Sequence, residues 1–422
     1  MKLEYRNNEL HCEDVPLHEL FDEFGTPLYV YSRSAFLENF HAIDRALQGI
    51  EHVTCYALKA NSNLHILKAL AEEGAGADVV SAGELALALK AGFAPERIVF
   101  AGVGKREDEI EFGLKEGIHC FNVESIPELQ LLSLVAMRLQ KKARVALRVN
   151  PDIRAGSHPY ISTGLNDHKF GIPAAQAAEA FRTAASLPNL EVCGVHVHIG
   201  SQITRPEPFV ETANMVASLV RDQRAAGMPI THVDVGGGFG VRYKNALRQE
   251  GLPEEAEDSP PPSAPAELIG AMLPVLKDLG CAVWLEPGRA IVADAGLLLT
   301  QVLYRKENGA RRFLIVDAGM NDLLRPSLYN AYHQIVPVRL ETMEHETVDV
   351  VGPVCETGDF LARERVMPRT KPRDLLAVLT AGAYGFVNAS NYNSRLRPAE
   401  VLVNGDRVRV IRPRQTLEEL AS

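Results

Sequence analysis

The sequence predicts an α/β chain: a (β/α)8 TIM barrel over 34–293, with 1–33 and 294–422 forming a second, antiparallel β-sandwich or barrel domain. Three observations predict it. From about residue 53, short apolar runs alternate eight times with segments of helical spacing. A glycine-rich segment follows the seventh run and not the first, which favours a closed barrel over an open doubly wound sheet. After about residue 294 the alternation gives way to paired apolar runs joined at Asn-Gly.

The eight candidate strands are 53–58, 75–80, 97–101, 118–123, 143–149, 191–198, 231–235 and 282–286. Between them, apolar residues recur at helical steps: Leu64, Leu67, Leu70 and Ala71; Leu85, Ala88 and Leu89; Leu129, Leu132, Val135 and Leu139. Asn308-Gly309 and Asn404-Gly405 each lie between alternating runs, the pattern of a tight hairpin with positive φ at both turn positions. The N-terminal 33 residues lack the βα rhythm, and we expect them to add a strand to the β domain. The segment 250–265 holds five prolines and several acids and reads as a solvated insertion after strand seven. The polar segment 152–171 follows strand five and is placed to cover the barrel mouth.

With 422 residues, 46% hydrophobic and 23% charged, the chain can bury a large core without staples. Its net charge of -10 argues against a general nucleic-acid binder. We expect no secretory signal and no membrane helix, because no apolar run approaches ~18 residues. Six scattered cysteines without C-x-x-C spacing read as reduced thiols in the cytoplasm, with neither disulfide framework nor metal site.

Working residues of such a barrel sit at the carboxyl ends of its strands. Lys59 follows strand one; desolvation there would lower its amine pKa and make it a nucleophile toward a carbonyl, although a rim lysine with its head in water would occupy the same place. Gly236, Gly237 and Gly238 follow strand seven and let backbone N–H groups approach an anion, with Ser201 near by after strand six. His196 and His198 share one face of strand six; His198, nearer the carboxyl end, suits a flat ring, and no third metal ligand is offered. Glu286 ends strand eight, where it can hold a positive ring nitrogen, and Arg289 can hold an anion, unless the two merely pair. A carbonyl trap, an anion cradle, a flat ring and a carboxylate meet the needs of pyridoxal 5′-phosphate.

Tyr56-Ala57-Leu58-Lys59-Ala60-Asn61, His198-Ile199-Gly200-Ser201-Gln202, the 236–240 glycines and Glu286-Pro287-Gly288-Arg289 resemble the barrel-fold pyridoxal-phosphate decarboxylases. In the C-terminal half, Asp317-Ala318-Gly319-Met320-Asn321-Asp322-Leu323-Leu324-Arg325-Pro326, Cys355-Glu356-Thr357-Gly358-Asp359 and Ala383-Tyr384-Gly385 are similar to the diaminopimelate decarboxylase family. The resemblance covers nearly the whole chain. It implies decarboxylation of meso-2,6-diaminopimelate to L-lysine and CO2, with Lys59 as the Schiff-base lysine and Asp78 near it. His198 would stack on the cofactor ring, and Ser201, Gly238, Gly288 and Arg289 would hold its phosphate. Arg289, Arg325, Tyr329, Glu356 and Tyr384 would bind substrate or cofactor. Cys355 would donate the proton, contributed by the second subunit of a homodimer with shared sites. Decarboxylases of ornithine, arginine or carboxynorspermidine are the nearest alternatives, with an amino-acid racemase or a decayed regulatory homologue further off. The segment Arg325-Pro326-Ser327-Leu328-Tyr329 argues against simple diamines.

Overall fold

Every predicted barrel strand forms, most of them a little shorter than the apolar run that announced them. The structure, a computed structural model, describes residues 2–153, 169–256 and 261–422. Most of the 152–171 segment and part of the 250–265 insertion therefore lie outside the described residues. Barrel strands one to eight are His52–Ala57, Gly76–Val79, Ile98–Phe100, Cys120–Val123, Ala143–Asn150, Leu190–His196, His232–Asp234 and Ala282–Leu285. All eight are parallel and neighbours follow chain order. Strand eight closes on strand one, with Val283 opposite His52 and Leu285 opposite Thr54. Closure removes both sheet edges, the difference between a barrel and a doubly wound sheet.

The helices begin and end where the sequence offers caps. Asn63, Ser81 and Ser125 each accept a hydrogen bond from a first-turn N–H, and Gly92 closes Ala82–Ala91 in the left-handed region. Leu67 and Leu70, then Leu85 and Ala88, then Leu129, Leu132 and Val135 are buried, so the helical spacing does mark the barrel-facing stripe.

Barrel interiors are normally filled by layers of branched apolar side chains from alternate strands. Here one layer is polar. Asp78, Asn122 and His196 come from strands two, four and six, Glu286 directly follows strand eight, and all four are buried. Burying four such groups is costly unless they pair, which marks the layer as functional.

By contacts the chain divides into the unit Asn39–Gly240 with Pro262–Ala290, which carries the barrel, and the unit Met1–Glu38, Val241–Pro261 and Ile291–Ser422. Residues 241–261, which include most of the 250–265 segment read from the sequence as an insertion after strand seven, thus count with the β unit. That unit holds a nine-stranded sheet. Leu28–Ser32 lies within it, antiparallel to Gly296–Asn308 and parallel to Ala399–Asn404. Arg311–Val316 also pairs parallel with His345–Val351. The sheet is therefore mixed and not antiparallel throughout, because distant segments insert between the hairpins.

Both Asn-Gly hairpins form, with the turn one residue later than expected. Asn308 pairs with Arg311, and Asn404 with Arg407. Only Gly309 and Gly405 have positive φ, the pattern of a type II′ turn with glycine first, so each asparagine closes the ladder instead. Among the described residues no helix is long and apolar enough to cross a membrane.

Candidate active site

Lys59 stands in a short turn, Leu58–Ala60, directly after strand one. Its Nζ lies 2.8 Å from Asp78 Oδ2 on strand two. The lysine side chain is 37% exposed and the aspartate fully buried. The amine is thus ion-paired and partly open, not dry as its strand-end position suggested. Burial, then the nearby Glu286 charge, raises the Asp78 carboxyl, while Lys59 pulls it back. Asp78 Oδ1 is buried with no hydrogen-bond partner among the described residues.

Glu286 is the best-supported anion of the polar layer. Asn122 Nδ2 donates to its Oε1 at 3.1 Å, and His196 Nε2 lies 3.3 Å from its Oε2. Burial would raise this carboxyl, but the charges of His196 and Lys59 outweigh it and hold it below the ordinary range. Strand six ends at His196, so His198 lies beyond the strand. His196 groups with Asp234 and Glu286, with candidate ligand atoms within 4.8 Å of one another. The sequence offered no third ligand because these residues meet only when strands six, seven and eight lie side by side. His198 is half-buried and its Nδ1 accepts from Gly237 N–H at 3.3 Å. Removal from water, then the Lys59 and Arg148 charges, push its pKa well below the usual imidazole range. It is a neutral flat ring.

The glycines after strand seven have a double role. A Cβ at Gly236 would press on His198, at Gly237 on the Glu286 carbonyl, and at Gly238 on the Gly200 carbonyl. They let the loops after strands six, seven and eight close together. Gly236 N–H donates to Asp234 Oδ1 at 2.8 Å, so it serves the protein itself. Arg289 Nη2 donates to Ser201 Oγ at 2.9 Å, joining the loops after strands six and eight at one polar spot. Gly288 faces inward instead: a Cβ there would lie 2.9 Å from Ala60 Cβ and 3.1 Å from Ala57 Cβ. The donor set fits pyridoxal phosphate. It offers an amine for the aldehyde, an anion for a protonated ring nitrogen, a neutral imidazole, and a hydroxyl with a guanidinium for phosphate.

The remaining predicted residues belong to the β unit. Arg325 opens the short helix Arg325–Tyr329, and Ser327 Oγ donates to Gly358 O at 2.6 Å, tying that helix to the Cys355–Asp359 turn. Asp359 organises both motifs: it accepts from Met320 N and Val354 N, each at 2.6 Å. Gly319 and Gly352 make room for it. His333 Nδ1 lies 2.9 Å from the Leu379 carbonyl, which fixes its proton there and leaves Nε2 to accept from Arg325 Nη1 at 2.8 Å. Arg325 also lies over the Tyr243 ring at 4.8 Å. Cys355 is exposed, whereas the other five cysteines are buried. Its neighbour Glu356 accepts from Tyr392 OH at 2.7 Å. Tyr384 has φ 58, a backbone region that an aromatic residue occupies at a cost and that often accompanies function.

Sequence reasoning missed Asn122 and Asp234. For Asn122 a signal was present, a polar amide inside the apolar strand Cys-Phe-Asn-Val, whereas Asp234 shares its short strand with His232. Asp234 is buried beside Glu286, and burial, then the Glu286 charge, raises its pKa well above the carboxylate range. It keeps its proton when folded. A carboxyl with a raised folded pKa is destabilising once pH exceeds its unfolded value of ~3.9, and increasingly so up to the folded value. Asp234→Asn has the same shape and never ionises. The variant's melting temperature relative to wild type, measured without cofactor, should therefore climb as pH rises from about 5 to 8. A constant difference would mean that Asp234 is ionised.

Comparison with known proteins identifies the family. The family described as pyridoxal-dependent decarboxylase, pyridoxal binding domain, matches residues 33–293. A diaminopimelate decarboxylase of Aquifex aeolicus is 48% identical over 416 residues, covering 99% of this chain and 96% of the relative. The diaminopimelate decarboxylase of Helicobacter pylori, solved with L-lysine, is 45% identical with TM-score 0.89, over 96% of this chain and 98% of that one. That of M. jannaschii, also with L-lysine, is 37% identical with TM-score 0.92, over 100% and 96%. With the likeness running from end to end at such identity, the chain belongs to the diaminopimelate decarboxylase family of pyridoxal-dependent decarboxylases.

Proposed function

We propose that this chain decarboxylates meso-2,6-diaminopimelate to L-lysine and CO2, with pyridoxal phosphate held at Lys59. The Lys59–Asp78 pair above a buried Glu286 carries the reading, since it supplies an amine and an anion at one barrel mouth. The L-lysine bound in two relatives supports the product. When bound, the cofactor supplies an electron sink for the charge that CO2 leaves behind. Glu286 keeps a ring nitrogen protonated, and its own ionisation is secured by Asn122 and His196. Neutral His198 packs on a ring without adding a competing charge. Asp78 holds the Lys59 amine in position. Ser201, Gly238 and Arg289 hold the phosphate, with Gly288 giving the loop its close packing.

Cys355 delivers a proton to the substrate Cα as general acid. Its exposure suits a group that completes the site of a second subunit, in a homodimer with shared sites. Tyr329, Glu356 and Tyr384 line the substrate. Arg325 reads the distal carboxylate through its planar fork, aimed by His333.

Purified protein given pyridoxal phosphate should release CO2 and L-lysine from meso-diaminopimelate, and react poorly with ornithine or arginine. Comparable kcat/KM on either would replace this reading with a broader decarboxylase. Arg325→Ala should lower kcat/KM for diaminopimelate by about ten- to a hundred-fold, the loss of one charge-assisted pair, with cofactor absorbance unchanged. An unchanged kcat/KM would remove Arg325 from substrate recognition.

A further inference from the structure

A second cluster of chemically active side chains lies at the amino-terminal end of the barrel strands, the end opposite Lys59. Cys120 opens strand four, with His119 just before it, and His232 opens strand seven. Candidate ligand atoms of these three residues lie within 4.8 Å of one another, with Cys120 Sγ 3.9 Å from His232 Nε2. Cys193 on strand six packs in the same core cluster as Cys120, with its thiol donating to the Val145 carbonyl at 3.3 Å. Nothing in the proposed decarboxylation uses any of the four.

Two local departures from regular structure bring them together. Strand six shifts register between Val192 and Gly194, so Cys193 is the bulged residue, and bulges re-aim side chains. A Cβ at Gly194 would collide with the His232 ring, so the glycine makes room for that imidazole. Trp284 stacks on His119 at 4.1 Å and fixes its ring. Cys120, Cys193 and His232 are buried, and Cys55, Val99 and Ala146 complete an apolar wall. Yet His119 Nε2 and His232 Nδ1 are buried with no hydrogen-bond partner among the described residues. Buried nitrogens left so are costly.

We propose that His119, Cys120, Cys193 and His232 form a binding site for one thiophilic divalent cation, such as Zn²⁺, at the floor of the barrel. Two sulfurs and two imidazole nitrogens are a closed tetrahedral donor set for this class of ion. Bonds of ~2.0–2.3 Å place tetrahedral ligand atoms roughly 3.3–3.8 Å apart, so the His119, Cys120 and His232 atoms, within 4.8 Å of one another, need to tighten by up to about 1.5 Å, and the Cys193 thiol turns from the Val145 carbonyl to complete the set. Binding converts two thiols to thiolates and releases two protons; the ion and two thiolates sum to zero charge, which suits a buried site. Arg144, 3.3 Å from His119 Nδ1, also reaches Glu191 at 3.4 Å and can turn to it when the ring binds. Half-buried His119 is the way in. No sequence spacing announces the site, because its residues come from three separate strands.

The test is Co²⁺ titration of chelator-treated, cofactor-loaded protein. One equivalent should give the visible bands and near-ultraviolet sulfur-to-cobalt charge transfer of a tetrahedral thiolate complex, with about two protons released and displacement by Zn²⁺. The variant with Cys120→Ser and Cys193→Ser should bind Co²⁺ roughly a hundredfold more weakly or not at all. Cys55→Ser, in the same apolar wall, should keep the full spectrum, which separates ligation from damage to packing. Absence of the thiolate spectrum in wild type overturns the site, as does its persistence in the double variant. The wild-type titration decides even if the double variant does not fold.

Discussion

Lys59→Ala should lower kcat/KM by roughly 10⁴-fold or more, the scale of losing a group that bonds covalently during turnover. The variant should also lose the cofactor's yellow absorbance. In the wild type, borohydride should fix the cofactor to the peptide containing Lys59; label on another lysine would refute the assignment. A structural signature accompanies the chemical one. Lys59 is the cation that Asp78 faces at 2.8 Å, and Asp78 is fully buried with Glu286 near by. Without the amine, the aspartate keeps its proton to higher pH. A carboxyl raised in the folded state stabilises least above its folded pKa, so the variant should lose stability relative to wild type as pH rises from about 5. Melting temperatures across that range, measured without cofactor, separate this effect from a general folding defect, which would not follow pH.

Cys355→Ala should reduce kcat by about 10²- to 10⁴-fold, the usual worth of a positioned general acid, with cofactor binding retained. The decisive form of the experiment mixes it with Lys59→Ala. If sites are shared across a two-fold dimer, each mixed dimer has one site with both residues intact and one with neither. Equal amounts, once exchanged, should then recover about a quarter of wild-type activity from two inactive parents. No recovery, with exchange demonstrated by mass, would mean that each chain supplies its own proton donor.

The barrel was legible because buried parallel strands are near-continuous apolar runs bounded by polar residues, and each strand lies within a few residues of its run. Lys59, Glu286 and the 236–238 glycines were legible for the same reason: each interrupts such a run at its carboxyl end. Partnerships were not legible. Nothing near Asp234 in the chain indicates that it shares a buried pocket with His196 and Glu286, because strand order alone joins them. The parallel pairing of Leu28–Ser32 with Ala399–Asn404 was hidden likewise, since it joins segments hundreds of residues apart. The hairpin asparagines were misread by one position because asparagine tolerates both the ladder end and the turn, and pairing decides between them.

Leu28–Ser32 sits between two strands that are made much later, Gly296–Asn308 and Ala399–Asn404. All five of its residues are buried once the sheet is complete. During synthesis this Leu-Tyr-Val-Tyr-Ser segment leaves the ribosome well over three hundred residues ahead of its last partner. At ~5–20 residues per second the wait is roughly 20–70 s, far longer than a barrel helix needs to form. An apolar strand with both edges open for that time is a template for wrong pairing. Yield in cells should therefore depend on how well nascent chains are shielded. Shortening the C-terminus past 399 should cause aggregation even though every barrel residue is kept, because the first strand would never acquire its second neighbour.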